Sequence, residues 1–297
     1  MKKMFAAMLA MILAMALLSG CGIYVRSNDG SINGNFSTGF EFNTGTPAYE
    51  EKGHKAFYVG KSGILSIEAD NVELNVEGAD VPQIQIDYAK QIFGKNIAQD
   101  EAQDIMDQMS VIIEQKGEEV HIKADTRKGM NSGINISNRL IVLDIKLPTD
   151  MRMTIDNGNG VIKIKDMAGD VDIDNGNALI DLTDVSGNVG IDTGNGAMRL
   201  ASGNIGDLSV KSGNGLVELS LGKLTGNSYD ITTGNGMVQL TVPQDIAADF
   251  EITTARGAVD SDFSLSKSNR TYTGSVNGGG PKIKISTGNG MVSVQKK

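Results

Sequence analysis

Ile155-Asp-Asn-Gly-Asn-Gly-Val-Ile-Lys-Ile164 is the stretch on which the fold turns, because the chain writes it again and again. The marker Asn157-Gly-Asn-Gly160 returns as Asn175-Gly-Asn-Ala178, Thr193-Gly-Asn-Gly196, Ser212-Gly-Asn-Gly215, Thr233-Gly-Asn-Gly236 and Thr287-Gly-Asn-Gly290, with a degenerate copy at Thr254-Ala-Arg-Gly257. Successive markers are 18, 18, 19, 21, 21 and then 33 residues apart. Before each marker stands Ile155, Ile173, Ile191, Val210, Ile231, Ile252 or Ile285, and after it Ile162, Ile180, Met198, Val217, Val238, Val259 or Val292. Polar residues separate these apolar columns, which is the period of a strand with one face buried.

Two architectures satisfy that pattern. Asn-Gly between alternating strands is a hairpin signal and gives an antiparallel meander. Alternatively, each repeat is one coil of a β-solenoid, and equivalent residues stack about 4.8 Å apart. The columns favour the solenoid, because a meander pairs unlike positions and has no use for identical ones. Asn159, Asn177, Asn195, Asn214, Asn235 and Asn289 form a column whose carboxamides can hydrogen-bond along the stack as a structural corner ladder. Lys163, Asp181, Arg199 and Glu218 form a column of alternating charge, which suits neighbours of opposite sign on successive rungs. The expected fold is therefore all-β, a single-stranded β-solenoid (β-helix-like) of 18–22-residue coils, two- or three-sided, with one short helix inserted in its N-terminal β region.

Working outward, residues 151–297 are the repeat solenoid, with an insert near 261–281. Residues 56–150 are an N-terminal β region of alternating segments such as Val72-Glu-Leu-Asn-Val76. Ile97, Ala98, Ala102, Ile105, Met106 and Met109 have helical spacing instead, placing the helix near 96–109; 127–137 is a loop. Residues 21–55 are a Gly/Ser/Asn/Thr-rich tether, with a root-mean-square span of about 30 Å if flexible; Phe36, Phe40 and Phe42 offer the alternative of a docked strand.

Residues 1–20 are a signal peptide: Lys2 and Lys3, an apolar run from Met4 to Leu18, then Leu18-Ser-Gly-Cys21, a lipoprotein lipobox. Cys21 is the one cysteine of the chain, so it has no disulfide partner within it. Its thiol is the lipidation site, where acyl chains contribute about 0.8 kcal/mol per buried methylene. The expected location is extracytoplasmic, lipid-anchored to the cell membrane, or to the outer membrane in a cell that has two; Gly22 shows only that an aspartate retention signal is absent. Removing Lys2 and Lys3 takes the formal net charge from -9 to -11, and an acidic chain without a basic cluster argues against nucleic acid as a partner.

Lipobox, β-rich lead-in, Ile145-Lys-Leu-Pro-Thr149 and Gly-Asn-Gly coils together resemble the bacterial "putative adhesin" domain of unknown function, related to adhesin head domains with a Gly-Ile-Asn motif. The resemblance covers about Ala56 to Val294. It implies a β-solenoid displayed at the cell envelope, and the family supplies no catalytic residues to carry over. Arg256 in the Asn column and the insert 261–281 depart from the pattern.

Catalytic chemistry finds few candidates. His54 and His121 stand alone in sequence, and the corners lack the Lys-Ser/Thr of a phosphate loop. No cofactor is expected and no metal. Asp156, Asp174 and Asp192 precede successive corners, but calcium β-rolls use a nine-residue repeat that is missing here, so solvated carboxylates are favoured over a calcium site. Arg256, Asp260 and Asp262 are the nearest approach to a polysaccharide-active site. The favoured function is non-catalytic surface binding or adhesion, with a membrane contact through the lipid and an envelope protein or surface polymer as partner. The alternatives are an accessory of envelope stress sensing or wall integrity, and a polysaccharide-active enzyme. The interaction face expected is the outward acidic set Asp156, Asp172, Asp174, Asp192, Asp230 and Glu251, relieved by Lys211 and Lys284. Cys21→Ala is expected to abolish acylation and leave the precursor uncleaved; labelled palmitate incorporated equally by the mutant would contradict the lipobox assignment.

Overall fold

A computed structural model describes residues 46–60, 62–126 and 136–297. Cys21, the signal segment, most of the expected tether and nearly all of the expected loop 127–137 lie outside the described residues.

The repeats form five long strands, each running through its marker, Gly-Asn-Gly in all but β9, where it is Gly-Asn-Ala: β8 (Arg152–Met167), β9 (Val171–Val185), β10 (Val189–Ile205), β11 (Leu208–Leu224) and β12 (Ser228–Val242). They pair in parallel, so the meander is excluded. The register sets each column on itself: Ile155 on Ile173, Ile173 on Ile191, Ile191 on Val210, Val210 on Ile231. Beyond the corner Ile162, Ile180, Met198, Val217 and Val238 align in the same way. Both halves of every coil feed one continuous apolar cluster. The second turn has a ladder of its own: Asp170 accepts from the Asn188 backbone N–H (3.0 Å), Asn188 from that of Asp207 (2.9 Å), and Asp207 from those of Asn227 (2.6 Å) and Ser228 (3.0 Å).

The stack runs through residue 150 without a break. β2 (Ile64–Asp70) and β3 (Val72–Ala79) are the halves of a coil that lies parallel on β8, with Ile67 on Ile155 and Leu74 on Ile162. Asn71 supplies the left-handed residue at that corner (φ 58°). On the far side lies a coil made of β6 (Glu119–Asp125) and β7 (Ile136–Pro148). Three antiparallel strands then cover that end: β5 (Ser110–Lys116) on β6, β4 (Gln83–Gly94) on β7, and β1 (Tyr49–Tyr58) on β4. α1 (Gln99–Gln108) joins β4 to β5, crossing from one half of the coil to the other and burying Ala102, Ile105 and Met106. β1 corrects the expected tether 21–55 at its end, since the strand begins at Tyr49. Tyr49 and Phe57 pack on the core, and ten residues pair with β4, a gain that outweighs the Gly-rich composition upstream.

At the other end chain order and spatial order part company. β13 (Ala248–Thr254) and β14 (Val259–Ser261) carry the degenerate repeat, and β17 (Lys282–Thr287) and β18 (Val292–Lys296) carry the final one. It is the final repeat that stacks on β12, with Ile285 on Ile231 and Val292 on Val238, while β13 and β14 lie outside it. The 261–281 insert supplies β16 (Thr271–Val276), antiparallel on β13, β15 (Ser266–Ser268), antiparallel on β16, and Phe263, stacked on Phe250 with 5.5 Å between centroids. The inversion has an electrostatic consequence. In chain order Asp230 would stack on Glu251; as folded, Lys284 is the register partner of both.

In the alternating column Lys163 pairs in register with Asp181, Arg199 stands 3.3 Å from Asp181, and Glu218 follows. Burial pushes the Glu218 carboxyl above its ordinary range, an effect that Arg199 only partly offsets. Two outcomes follow. Ile191→Asp, which places a charge in a fully apolar column, should cost several kcal/mol, whereas Asp181→Ala should cost less than about 1 kcal/mol; equal melting temperatures would contradict the inward and outward assignment. A carboxyl with a raised folded-state pKa binds protons more readily in the folded state than in the unfolded state, so its contribution falls as pH rises through that pKa. Glu218→Gln should therefore raise the melting temperature at pH 7 and lose that advantage below about pH 4.3, where the glutamate too is neutral.

Candidate functional site

Two outward features come from the repeat. The first is the corner ladder. Asn177 Nδ2 donates to Asn159 Oδ1 (3.0 Å), Asn195 to Asn177 (2.9 Å), Asn214 to Asn195 (2.7 Å), Asn235 to Asn214 (3.0 Å) and Asn289 to Asn235 (2.8 Å). Every amide points the same way, so the ladder has a donor end and an acceptor end. At the donor end Asn159 Nδ2 lies 3.5 Å from Oδ1 of the buried Asp70. At the acceptor end the next rung is Arg256, whose backbone N–H donates to Gly288 O (2.9 Å). A carboxylate thus closes one end and a guanidinium-bearing residue occupies the other. Arg256 is therefore the terminal rung of the column rather than a gap in it. Coils approach so closely here that a Cβ at Gly290 would lie 1.7 Å from Gly236 O. This ladder uses its polar groups on itself, which fits a structural part.

The second feature is the outward face of the strand halves before the corner. Register aligns Glu68, Asp156, Asp174 and Asp192 on four successive rungs, followed by Lys211. Lys123 pairs with Glu68 at 2.6 Å and closes the other end. Four carboxylates therefore run between two lysines, with neighbours about 5 Å apart that repel by about 0.8 kcal/mol each in water. In the adjacent column Asp172 leans over Gly190, where a Cβ would lie 2.4 Å from its Oδ1. The result is an open groove of about 580 Å³ lined by Glu68, Asp156, Asp172, Asp174, Asp192 and Lys211.

The structure divides the expected acidic set. Asp156, Asp172, Asp174 and Asp192 share the groove. Asp230 and Glu251 do not line it; Asp230 lies 3.8 Å from Lys284, and Glu251 lies 2.7 Å from Lys282, which holds its carboxyl below the usual range. The physical reason is the inverted coil order, which brings both lysines of β17 beside these two acids. Beyond Lys211 the same column continues as Thr232, Ser286 and Thr253, uncharged hydroxyls. Glu68 and Asp70 escape a sequence search based on the marker, because the 64–79 coil has none. The only available signal is Ser66-Ile-Glu-Ala-Asp70, whose alternation matches that before each corner.

Other candidate groups are paired locally. His54 Nδ1 lies 2.8 Å from Asp87, an exposed pair, and His121 Nε2 lies 3.1 Å from Glu119, a half-buried one. Asp262 accepts from the Lys296 backbone N–H at 3.0 Å. Among the described residues no group of three or more His, Cys, Asp or Glu side chains is arranged to hold a metal ion, and no helix is long and apolar enough to cross a membrane.

Residues 154–295 match the family model described as Toastrack DUF4097. Among solved structures, a "putative cell adhesion protein" from Clostridium sporogenes ATCC 15579 is similar at 12% identity and a TM-score of 0.39, over 84% of this chain and 100% of that one. A "putative adhesin" from Bacteroides fragilis NCTC 9343 is similar at 12% identity and a TM-score of 0.37, over 83% and 97%. A "putative lipid binding protein" from Parabacteroides distasonis ATCC 8503 is similar at 12% identity and a TM-score of 0.28, over 82% and 96%. No curated protein matches the chain.

Proposed function

We propose that this chain, whose residues 154–295 match the Toastrack DUF4097 family model, is an extracytoplasmic lipoprotein held to the membrane through acyl chains on Cys21. Its solenoid is a non-catalytic binding module, and the acidic groove is its interaction face. The observation that carries this is the four-rung carboxylate line Glu68, Asp156, Asp174 and Asp192 along an open groove. Unlike charges stacked at this spacing would neutralise one another, as they do in the alternating column. Like charges stacked there set up a directional negative potential that attracts a cationic partner and repels anionic polymers. A basic envelope protein or a cation-bridged surface polymer fits such a face. Its shallow openness suits an extended partner better than a small molecule, for which an enclosed apolar cavity is the usual container.

Asp156→Lys, Asp174→Lys and Asp192→Lys combined should abolish retention of poly-lysine at low salt and lose the partner cross-linked to the intact lipoprotein on live cells. Asp230→Lys with Glu251→Lys, outside the groove and already beside lysines, should have much the smaller effect. Unchanged binding with an unchanged salt dependence in the groove variant would remove this face from consideration.

A further inference from the structure

The inverted coil order creates a slot. Its walls are β12 on one side and β13 with β14 on the other, and β17 with β18 fills it. The slot is chemically selective. Asp230 on one wall and Glu251 on the other face a strand bearing Lys284 and Lys282, at 3.8 Å and 2.7 Å. Asn235 accepts the amide of Asn289 at 2.8 Å. A Cβ at position 288 or 290 would lie 2.5 or 1.7 Å from the Gly234 or Gly236 carbonyl, so the occupant needs glycine at both. The filling segment nearly copies its wall: Ile285-Ser-Thr-Gly-Asn-Gly-Met-Val292 differs from Ile231-Thr-Thr-Gly-Asn-Gly-Met-Val238 only at Ser286.

The chain enters the slot through Asn277-Gly-Gly-Gly-Pro281. Asn277, Gly278 and Gly279 turn there with φ of 50°, 92° and 80°, and Asn277 Nδ2 pins the turn to Gln244 O (3.1 Å) and Ile246 O (2.9 Å). Three glycines open to an extended path without steric cost. Five extended residues reach about 17 Å, far enough to deliver the following strand to a neighbouring molecule.

We infer that the slot is a homotypic binding site, filled by β17 and β18 of a second copy in a reciprocally exchanged dimer. Every rung hydrogen bond and every lysine–carboxylate contact of the slot is kept in the exchange and becomes intermolecular. Only residues 277–281 change conformation, so protein concentration and hinge geometry set the balance between closed monomer and exchanged dimer. The partner is a second copy because an unrelated strand lacks the combination of Lys282, Lys284, Gly288, Asn289 and Gly290.

Thr232 and Ser286 are register partners on the outward face. Two full-length chains in a Cys21→Ser background, one with Thr232→Cys and one tag, the other with Ser286→Cys and a second tag, each hold a single thiol. Coexpressed and mildly oxidised, they should form a mixed-tag disulfide dimer whose yield rises with concentration and exceeds that of an Asp181→Cys control in place of Thr232→Cys. Mixed-tag dimer no greater than this control would overturn the inference. A second readout is free of disulfides. Deleting Gly278 to Gly280 stops the strand from turning back into its own slot and should shift the chain to a dimer by light scattering. A shortened-hinge chain that stays monomeric with an unaltered melting transition would overturn the inference equally.

Discussion

A parallel, in-register stack makes each residue a neighbour of its own counterpart on the coils above and below, about 4.8 Å away. The consequences depend on side-chain chemistry. Isoleucine and valine gain by it, since branched apolar groups pack well on their own kind. Asparagine gains as well, because a carboxamide carries both donor and acceptor and each rung satisfies the next, for about 0.5–1.5 kcal/mol net per bond. Glycine is required at corner positions such as Gly196 and Gly290, where a Cβ would lie under 2 Å from the carbonyl of the neighbouring coil. Charge is the type that like-on-like stacking penalises, and the fold handles it in three ways. It alternates sign in the Lys163, Asp181, Arg199 and Glu218 column, spaces opposite charges by coil order at Asp230, Lys284 and Glu251, and in the groove leaves Asp156 and Asp174 with carboxylates on both neighbouring rungs, Lys123 and Lys211 closing the line at Glu68 and Asp192.

The same constraint outranks chain order. A sequential stack would interrupt the amide ladder with Arg256 and lay Asp230 against Glu251. Placing the final repeat next to β12 continues the ladder to Asn289 and puts lysines between the acids. The degenerate repeat is then outermost, where its unlike residues have no further coil to match and the 261–281 hairpin covers it. At the opposite end the antiparallel strands and α1 do this work. Terminal units that differ from the repeat are the general requirement of stacked architectures.

Much of this was legible in the sequence. The Ile and Val columns and the Gly-Asn-Gly marker specify parallel coils because identical spacing is useful only in a stack, and the helical spacing of Ala102, Ile105 and Met106 marks α1. What escaped was whatever lacked the marker. The 64–79 coil turns at Asp70-Asn71 without a Gly-Asn-Gly corner, so its place in the stack, and with it Glu68 in the groove and Asp70 beneath the ladder, has no local signature. β1 was hidden by the composition preceding it. The coil inversion is a long-range choice between two repeats that both offer a strand to β12; as folded, the intact repeat with Lys282 and Lys284 takes that place beside the two acids. The acidic face was legible only as a set of outward residues; its division into a groove and a lysine-paired remainder follows from that inversion.

If self-matching at the corner governs the architecture, Asn235 should be coupled to Asn289, 54 positions away, and not to Arg256, 21 positions away. A double-mutant cycle on unfolding free energy between Asn235→Ala and Asn289→Ala measures this most directly. The predicted result is a coupling of about 0.5–1.5 kcal/mol, with Asn235→Ala and Arg256→Ala additive. Additivity for Asn235 with Asn289, together with coupling to Arg256, would mean that the coils stack in chain order and would contradict the account.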